Sequence, residues 1–497
     1  MVIPERASEM LAKTSDISGI FQNAGKELYI VGGTVRDLIL AGGQDDESGD
    51  TSRNESGKVQ SGGVDGAAAT GNVEGNEAGG AQSTKDYDFA TNALPDETLS
   101  LVKDWADNVW MQGKKFGTIA CLKGNVRFEI TTYRAEVYSS DTRKPAVVFG
   151  ESLEDDLIRR DFTVNSMALA LPSLELIDPF GGLSDLASST LRTPREASKS
   201  FDEDPLRMLR AARFIAGYHL QPVGELTAAV SEMAARIEVV SPERIRDELD
   251  KLLVVRKPSP GLAFLVDTGL AERFMPELPA LALEQDPIHH HKDVLAHTLA
   301  VVDRTSSERL LRLAALFHDI GKPKTRTYTS QGVSFHHHDV VGARMARERM
   351  RKLRYSTEDV SVVSKLVGLH LRFHTYRFGW TDSALRRYVR DAGPLLQWLN
   401  ELTRCDCTTR NPVKARELNE RMDELESRIA ELRQREEIES IRPDLDGVQV
   451  MERLGIAPGR EVGEALAFLL ELRMDQGPLP EDEACRKLDE WWQGRNS

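Results

Sequence analysis

The chain of 497 residues reads as an α+β protein, a small mixed-sheet head followed by a mainly α-helical body. Short strands, a glycine turn and a hairpin crowd into the stretch before residue 170. From Leu183 onward, apolar residues recur at the three-and-four spacing of helices. The length leaves room for roughly three or four domains.

The elements follow in order. Residues 1–20 suggest a short polar helix, Leu28–Val31 an apolar strand, Gly32-Gly33 a turn and Thr34–Leu40 a helix. Residues 42–84 hold no aromatic residue, Leu or Ile and are rich in Gly, Ser and acidic residues, the composition of a disordered insertion. Order is expected to resume at Asp86. Gly117–Leu122 and Val126–Tyr133 read as strands joined by Lys123-Gly124-Asn125. Helices are expected over Pro205–Phe214, Leu226–Ile237 and Pro242–Leu253, the last with Ser241 as N-cap and Pro242 in the first turn. A histidine-rich helical region runs from Pro287 to about Asn411. In Val413–Glu439, the residues Leu418, Met422, Leu425, Ile429 and Leu432 recur at helical spacing, predicting one long amphipathic helix packed in a helical body. Residues 443–497 read as helical, with a turn near Gly455, Pro458 and Gly459. The expected division is a head at 1–170, a helical neck at 171–285, a histidine-rich domain at 286–412 and a helical body at 413–497.

A net charge of −15 argues weakly against a nucleic-acid partner. Basic residues nevertheless cluster at Arg159-Arg160, at Arg207, Arg210 and Arg213, and from Arg347 to Arg354. Local sign, not the sum, governs contact with a polyanion. Cys121, Cys405, Cys407 and Cys485 lack the spacing of a zinc ribbon, so free thiols in a reducing cytoplasm are expected. No secretory signal is apparent, and no run of about 20 apolar residues suggests a membrane span. A cytoplasmic location is the expectation.

Two short motifs carry chemistry in the head. Asp86 and Asp88 are two residues apart on a strand, so both carboxylates point to one face. Adjacent carboxylates repel unless a cation lies between them, and Mg²⁺ is commonly held by one or two carboxylates plus substrate phosphates. A lone Asp-x-Asp is weak evidence; its place after a strand, a Gly-Gly turn and a helix bearing Arg36 and Asp37 strengthens it. Gly32 and Gly33 let backbone N–H groups approach phosphate oxygens, and the following helix adds its positive N-terminal end. Glu129 could be a third carboxylate or a solvent-facing strand residue. Arg134, Glu136, Tyr138, Asp141 and Arg143 read as a mobile polar loop.

Five motifs occur in one order: Val31-Gly32-Gly33-x-Val35-Arg36-Asp37; Asp86-x-Asp88; Arg159-Arg160-Asp161-Phe162-Thr163-x-Asn165; Asp178-Pro179-Phe180-Gly181-Gly182; and Glu203-Asp204-Pro205-Leu206-Arg207. The chain resembles the class II CCA-adding tRNA nucleotidyltransferases and the related bacterial poly(A) polymerases, over roughly residues 20–411. The insertion at 42–84 departs from the family, which usually has a short connection there. The resemblance implies a polymerase β-like nucleotidyltransferase head that uses Mg²⁺, CTP and ATP and acts on the tRNA 3′ end. It implies that Asp86 and Asp88 are catalytic metal ligands, that Gly32, Gly33 and Arg36 hold the triphosphate, and that Arg160, Asp161 and Asn165 belong to the nucleotide site. Arg160 and Asp161 would face the ribose, with Arg159 equally placed for phosphate. Asp178 and Gly181 read as turn-forming residues.

In the neck, Asp204 and Arg207 share a helix face. A carboxylate accepts from the exocyclic amine of cytosine or adenine, and a guanidinium donates to the ring nitrogen beside it. Uracil and guanine present the opposite pattern, so one Asp/Arg pair selects C and A over U and G. Taken alone the pair would read as a surface ion pair. Arg210 and Arg213, one and two helical turns further on, join the expected nucleotide-binding set.

A second constellation comprises His297, His318, Asp319, His338, His370 and Asp406. The apolar run Leu313–Ile320 holds adjacent His and Asp at the end of a buried helix, where an unpaired carboxylate would be costly. The order H…HD…H…H…D resembles the HD phosphohydrolase fold. That resemblance implies a second divalent metal, with Mn²⁺, Fe, Ni²⁺ or Mg²⁺ suited to such ligands, and water-activated phosphoester hydrolysis. His289–His291, His336 and His337 lie beside the set without a clear place in it. Three readings remain beside CCA addition: poly(A) addition by the same head, an HD phosphohydrolase with a nucleotide-sensing head, and a non-enzymatic RNA-binding protein. Intact head motifs disfavour the last two.

Overall fold

The computed structural model describes residues 5–47, 85–111, 113–114, 117–135, 148–150, 152–283, 293–329, 332–373, 380–407, 412–436 and 442–495. The insertion beyond residue 47, the loop positions Glu136, Tyr138, Asp141 and Arg143, and His289–His291 lie outside the described residues. The chain divides into two compact units, residues 1–207 with 220–229, and residues 208–219 with 230–497.

The first unit is built on a seven-stranded sheet. Its elements are α1 (Glu5–Asn23), β1 (Leu28–Val31), α2 (Gly33–Glu47), β2 (Lys85–Thr91), α3 (Pro95–Val102), β3 (Asn108–Trp110), β4 (Thr118–Lys123) and β5 (Val126–Thr132). A two-stranded ribbon follows, β6 (Arg134–Ala135) with β7 (Val148–Phe149), then the short helix α4 (Leu153–Leu157). The last strands are β8 (Ala168–Ala170) and β9 (Leu176–Ile177), giving the order β3-β4-β5-β2-β1-β8-β9. Only β2 and β5 run parallel; the other neighbours are antiparallel.

Strand periodicity sorts the side chains. Tyr87 and Phe89 of β2, Phe128 and Ile130 of β5, and Ile119 and Cys121 of β4 are buried, with Met10, Ile17 and Phe21 of α1 and Val102 of α3 in the same core. Each large apolar side chain so buried contributes about 1.5–3 kcal/mol. The alternate residues Asp86, Asp88, Arg127 and Glu129 are left on the opposite face. The β4–β5 hairpin turns where expected, with Gly124 at φ +60°.

Two boundaries differ from expectation. Helix α2 continues to Glu47, seven residues past Leu40 and into the polar segment. A nucleated helix extends cheaply through residues such as Ala41, Gln44 and Glu47 even where nothing apolar is available to bury. The helix expected over Leu226–Ile237 is Gly224–Met233 followed by a 3₁₀ segment, Ala234–Val239.

The second unit is mainly helical. Ser241 caps Pro242–Leu253 by accepting from the Arg244 backbone N–H at 3.4 Å, with Pro242 in the first turn. The long helix Pro412–Glu436 buries Met422, Leu425, Ile429 and Leu432, so its amphipathic stripe is packed. Three C-terminal helices, Gly447–Leu454, Arg460–Gln476 and Glu481–Arg495, surround Val450, Leu469 and Leu488; Gly455 ends the first in a left-handed conformation. No described helix is long and apolar enough to cross a membrane.

Candidate active site and metal centre

The parallel register of β2 and β5 sets Asp88 beside Glu129 and Asp86 beside Arg127. Three carboxylates therefore share the open face of the sheet. Glu129 accepts from Arg127 at 2.6 Å. A groove of about 490 Å³ runs along this face, lined by Trp110, Gly113, Thr118, Ala120, Arg127 and Glu129. Loss of water around Asp88 raises its carboxyl pKa; Arg160 opposes the rise, and Glu129 and Asp86 add to it. Carboxylates gathered in this way are relieved by a divalent cation, and the all-oxygen donor set suits a hard one.

Behind the carboxylates lies the glycine turn. Gly32 has φ +72°, and a Cβ there would stand 2.7 Å from Arg160 Nη1. The turn thus needs glycine twice, for its backbone angle and for the guanidinium lying against it. Arg160 pairs with Asp156 at 3.1 Å, one helical turn earlier in sequence. Arg36 is buried; its Nε and Nη2 donate to Asp37 at 2.9 and 2.7 Å, and its Nη1 donates to Asn165 at 2.6 Å. Asn165 donates onward to Asp161 at 2.8 Å, and Asp161 also accepts the Phe162 backbone N–H at 2.9 Å. Arg36, Asn165 and Asp161 are therefore brought together as one buried network that stiffens the turn. Asp178 accepts from the backbone N–H groups of Gly182 and Leu183 at 2.7 and 2.9 Å, a turn-forming role.

Asp204 follows α6 (Gly182–Ala187 being α5, and Ala197–Glu203 α6) and accepts the Leu206 backbone N–H at 3.2 Å, at the start of α7 (Leu206–Tyr218). Arg207 is held on several sides: it donates to Ser200 Oγ at 2.9 Å, to Glu203 at 3.1 Å and to the Arg159 carbonyl. Glu203 also accepts from Arg159 at 2.8 Å and pairs with Arg195. It is the carboxylate hub of three guanidinium groups, and they hold its pKa low against the opposing effect of burial. In the sequence alone Glu203 stands only as one residue of a motif. Its i,i+4 spacing to Arg207 was the available signal. In the second unit, Arg213 pairs with the buried Glu248 and lies 4.9 Å from the Phe214 ring, while Arg210 lies 6.0 Å from that ring.

The histidine constellation assembles within the second unit. Helix Arg309–Phe317 is buried from Leu311 to Phe317, Arg312 included, and ends at His318-Asp319 in the core. Gly321 follows; a Cβ there would lie 2.1 Å from the His338 carbonyl, so glycine lets the helix His338–Lys352 close against this corner. His297 Nε2 stands 3.2 Å from His318 Nε2 and 2.9 Å from Asp406. Asp319 lies 3.2 Å from His318 and 3.4 Å from His338. His297, His318 and Asp406 form one group of possible ligands, and Asp319, His338 and His370 another. All six residues expected from sequence thus meet; the exposed His336 and His337 stay outside.

The backbone fixes the ring tautomers. His318, His338 and His370 each donate from Nδ1 to a carbonyl three residues earlier, at 2.7, 2.7 and 2.6 Å. In a neutral ring Nε2 is then the acceptor, and the Nε2 atoms of His338 and His370 are buried without a hydrogen-bond partner among the described residues. Burial, then the nearby His318, lowers the His370 pKa to about 4; Asp319 overrides burial and raises that of His318 to about 10. Orphaned imidazole nitrogens beside two carboxylates fit a divalent transition metal.

Three family models match the chain. Residues 79–192 match the poly A polymerase head domain, 224–281 a probable RNA and SrmB-binding site of polymerase A, and 288–432 the HD domain. An A-adding tRNA nucleotidyltransferase of Deinococcus radiodurans is 34% identical over 389 residues, 74% of this chain and 86% of the relative. The chain belongs to the tRNA nucleotidyltransferase and poly(A) polymerase family. A CCA-adding enzyme of Geobacillus sp. is 35% identical over 263 residues, 53% of this chain and 54% of that protein, so the chain spans about half the length of this CCA-adding relative. The fold extends further: the crystal structure of Bacillus stearothermophilus CCA-adding enzyme in complex with CTP covers 97% of this chain and 98% of its own, with TM-score 0.64 and 22% identity. As a member of this family the chain is a nucleotidyltransferase, and its two families of site residues imply divalent metal use.

Proposed function

We propose that this nucleotidyltransferase completes the tRNA 3′ end, adding C, C and A from CTP and ATP without a nucleic-acid template. The observation that carries the reading is the meeting of Asp86, Asp88 and Glu129 on one open sheet face beside the Gly32 turn. Asp86 and Asp88 would hold Mg²⁺, which supplies charge neutralisation for the polyphosphate and lowers the pKa of the attacking 3′-hydroxyl. The hydroxyl oxygen bonds to the α-phosphorus, the α–β bridging oxygen leaves with pyrophosphate, and the hydroxyl proton passes to solvent. Arg160, lying against Gly32, is placed for a phosphate or the ribose. The Arg36–Asn165–Asp161 network keeps the turn in shape. Asp204 and the pre-set Arg207 read the base edge, because a fixed guanidinium loses little freedom on binding C or A.

The names of the relatives divide between A addition and CCA addition, and the test separates them. The protein is incubated with tRNA lacking CCA, tRNA lacking only the terminal A, and each NTP. Incorporation of C onto the first substrate followed by one A supports the reading. Addition of A alone onto the second substrate assigns an A-adding enzyme, and long A tails assign a poly(A) polymerase. In a parallel reaction Asp88→Ala should abolish addition and keep tRNA binding; retained addition would refute the assignment of the head.

A second activity is favoured by the buried Nε2 atoms of His338 and His370. His297, His318, Asp319, His338, His370 and Asp406 would hold a transition metal that activates water for phosphoester hydrolysis. A 2′,3′-cyclic nucleotide assay with chelator, then with Ni²⁺ or Mn²⁺, tests it; absence of metal-dependent turnover removes it.

A further inference from the structure

Arg134 belongs neither to the carboxylate face nor to the Glu203 hub. It opens β6, immediately after the strand that carries Glu129, and its Nη2 donates to Thr118 Oγ1 at 2.9 Å. Thr118 shares the groove wall with Glu129, and its hydroxyl is 3.0 Å from Thr131 Oγ1. Arg134 is half-buried, its Nε is buried without a partner, and no carboxylate among the described residues is in ion-pair contact with it. Its charged neighbours aggravate the imbalance. Arg159 is committed to Glu203 and Arg160 to Asp156, and Arg160 Nε is also buried without a partner. Loss of water lowers the Arg134 pKa; Asp156 at a distance opposes this, while Arg159 and Arg160 add to it.

A half-buried guanidinium with an unmet buried donor and two cationic neighbours is stabilised by an anion, and partly desolvated cations of this kind are costly without one. Two contacts bound the place for that anion. Arg160 lies against Gly32 and acts electrostatically on Asp88, while Arg134 attaches to the groove wall next to Glu129. We infer that Arg134 is a further polyphosphate-binding residue of the head, receiving the β- and γ-phosphates of the incoming nucleotide and the pyrophosphate that leaves. The inference rests on the nucleotidyltransfer reading of the head and adds a residue to it. Phosphate could also come from the RNA strand, so the test separates the two sources.

Arg134→Gln and Arg134→Lys are compared with the unaltered full chain. KM for CTP and ATP, inhibition by inorganic tripolyphosphate, tRNA binding and the melting temperature are measured. The expected result for Arg134→Gln is a rise of about ten- to hundredfold in the tripolyphosphate inhibition constant. KM should rise in parallel for both nucleotides, and tRNA affinity should be unchanged. Arg134→Lys should fall between, because lysine keeps the charge and loses the fork. A merely structural role would lower the melting temperature without moving tripolyphosphate inhibition, and that outcome overturns the inference. So does a change in tRNA affinity with tripolyphosphate inhibition intact. Should Arg134→Gln fail to fold, Arg134→Lys decides alone: wild-type tripolyphosphate inhibition refutes the role. Asp88→Ala, run beside them, reports on the head separately; its loss of addition leaves that reading standing whatever Arg134 does.

Discussion

Glu203→Gln isolates the carboxylate that holds Arg207, the proposed reader of the base. The substitution keeps the side chain's shape and removes its charge. Three guanidinium groups depend on that charge: Arg159 at 2.8 Å, Arg207 at 3.1 Å and Arg195. Each charge-assisted hydrogen bond is worth about 1.5–3 kcal/mol, and breaking a fully buried pair costs about 3–5 kcal/mol. Glu203 is 19% exposed and Arg159 27%, so screening reduces the sum, and a loss of about 2–3 kcal/mol of stability is expected. Arg207 keeps its bonds to Ser200 and the Arg159 carbonyl, so it loosens and is not released. A loosened Arg207 should lower kcat/KM for CTP and ATP by about tenfold, equivalent to roughly 1.4 kcal/mol, with weaker discrimination against UTP and GTP. The depressed pKa of Glu203 sets the pH window. Its stabilisation is present above the unfolded value of about 4.3 and is lost as pH falls through the lower folded value. Wild type and variant should therefore differ most at neutral pH and converge in stability as pH falls through the lowered folded value. Single-turnover addition with each NTP and denaturation across pH are the assays. A destabilised variant with undiminished selection of CTP over UTP would show that Glu203 serves the fold and not the choice of base.

Two further predictions concern the interrupted head. Gly32→Ala meets a left-handed backbone angle and the Arg160 guanidinium at once, so it should cost about 1–2 kcal/mol of stability and raise KM for both nucleotides; an unchanged KM would separate Arg160 from nucleotide binding. The insertion should be dispensable within limits set by α2. That helix spans 15 residues, about 22 Å, so the return to Lys85 needs at least about seven extended residues. Deleting 52–80 should keep addition within about threefold of wild type, since loop-closure cost varies slowly with length. A deletion starting at 44 cuts into the helix and should lower the melting temperature; loss of addition by a folded 52–80 deletion would assign the insertion a function.

Strand and helix periodicity made much of the head and body legible. Asp86-x-Asp88 had to face one way once β2 was a strand, and Leu418 to Leu432 had to line one helix face. What stayed illegible was pairing. Glu129 could be a third carboxylate or a surface residue because nothing local says that β5 runs parallel to β2 in the register that sets it beside Asp88. Arg36 illustrates the same limit. A motif suggests contact with triphosphate, and only the tertiary structure adds that its guanidinium is braced by Asp37 and by Asn165, 129 residues away in the latter case. Arg134 looked like the edge of a polar loop, and only the approach of Arg159 and Arg160 from α4 onward makes its charge conspicuous.

The two sites differ in how much of a metal's coordination the protein supplies in advance, and this predicts different retention. At the head, the donors would be carboxylates on an open sheet face, with the substrate's phosphates completing the shell. A hard ion held so thinly exchanges with solvent. At the HD centre, three imidazoles are locked by backbone carbonyls at 2.6–2.7 Å, and those three side chains are buried. Little freedom remains to be lost when a transition metal enters, so it should stay bound. Brief chelation and gel filtration should therefore abolish nucleotide addition reversibly, with Mg²⁺ restoring it, while metal analysis still finds a transition metal in the protein. His370→Ala removes one buried acceptor and should weaken that retained metal by at least about tenfold, with a lower melting temperature in the metal-loaded protein and undiminished addition in Mg²⁺. Equal loss of both metals on brief chelation would contradict the argument from pre-oriented ligands, and a transition metal bound as tightly by His370→Ala as by wild type would remove His370 from the ligand set.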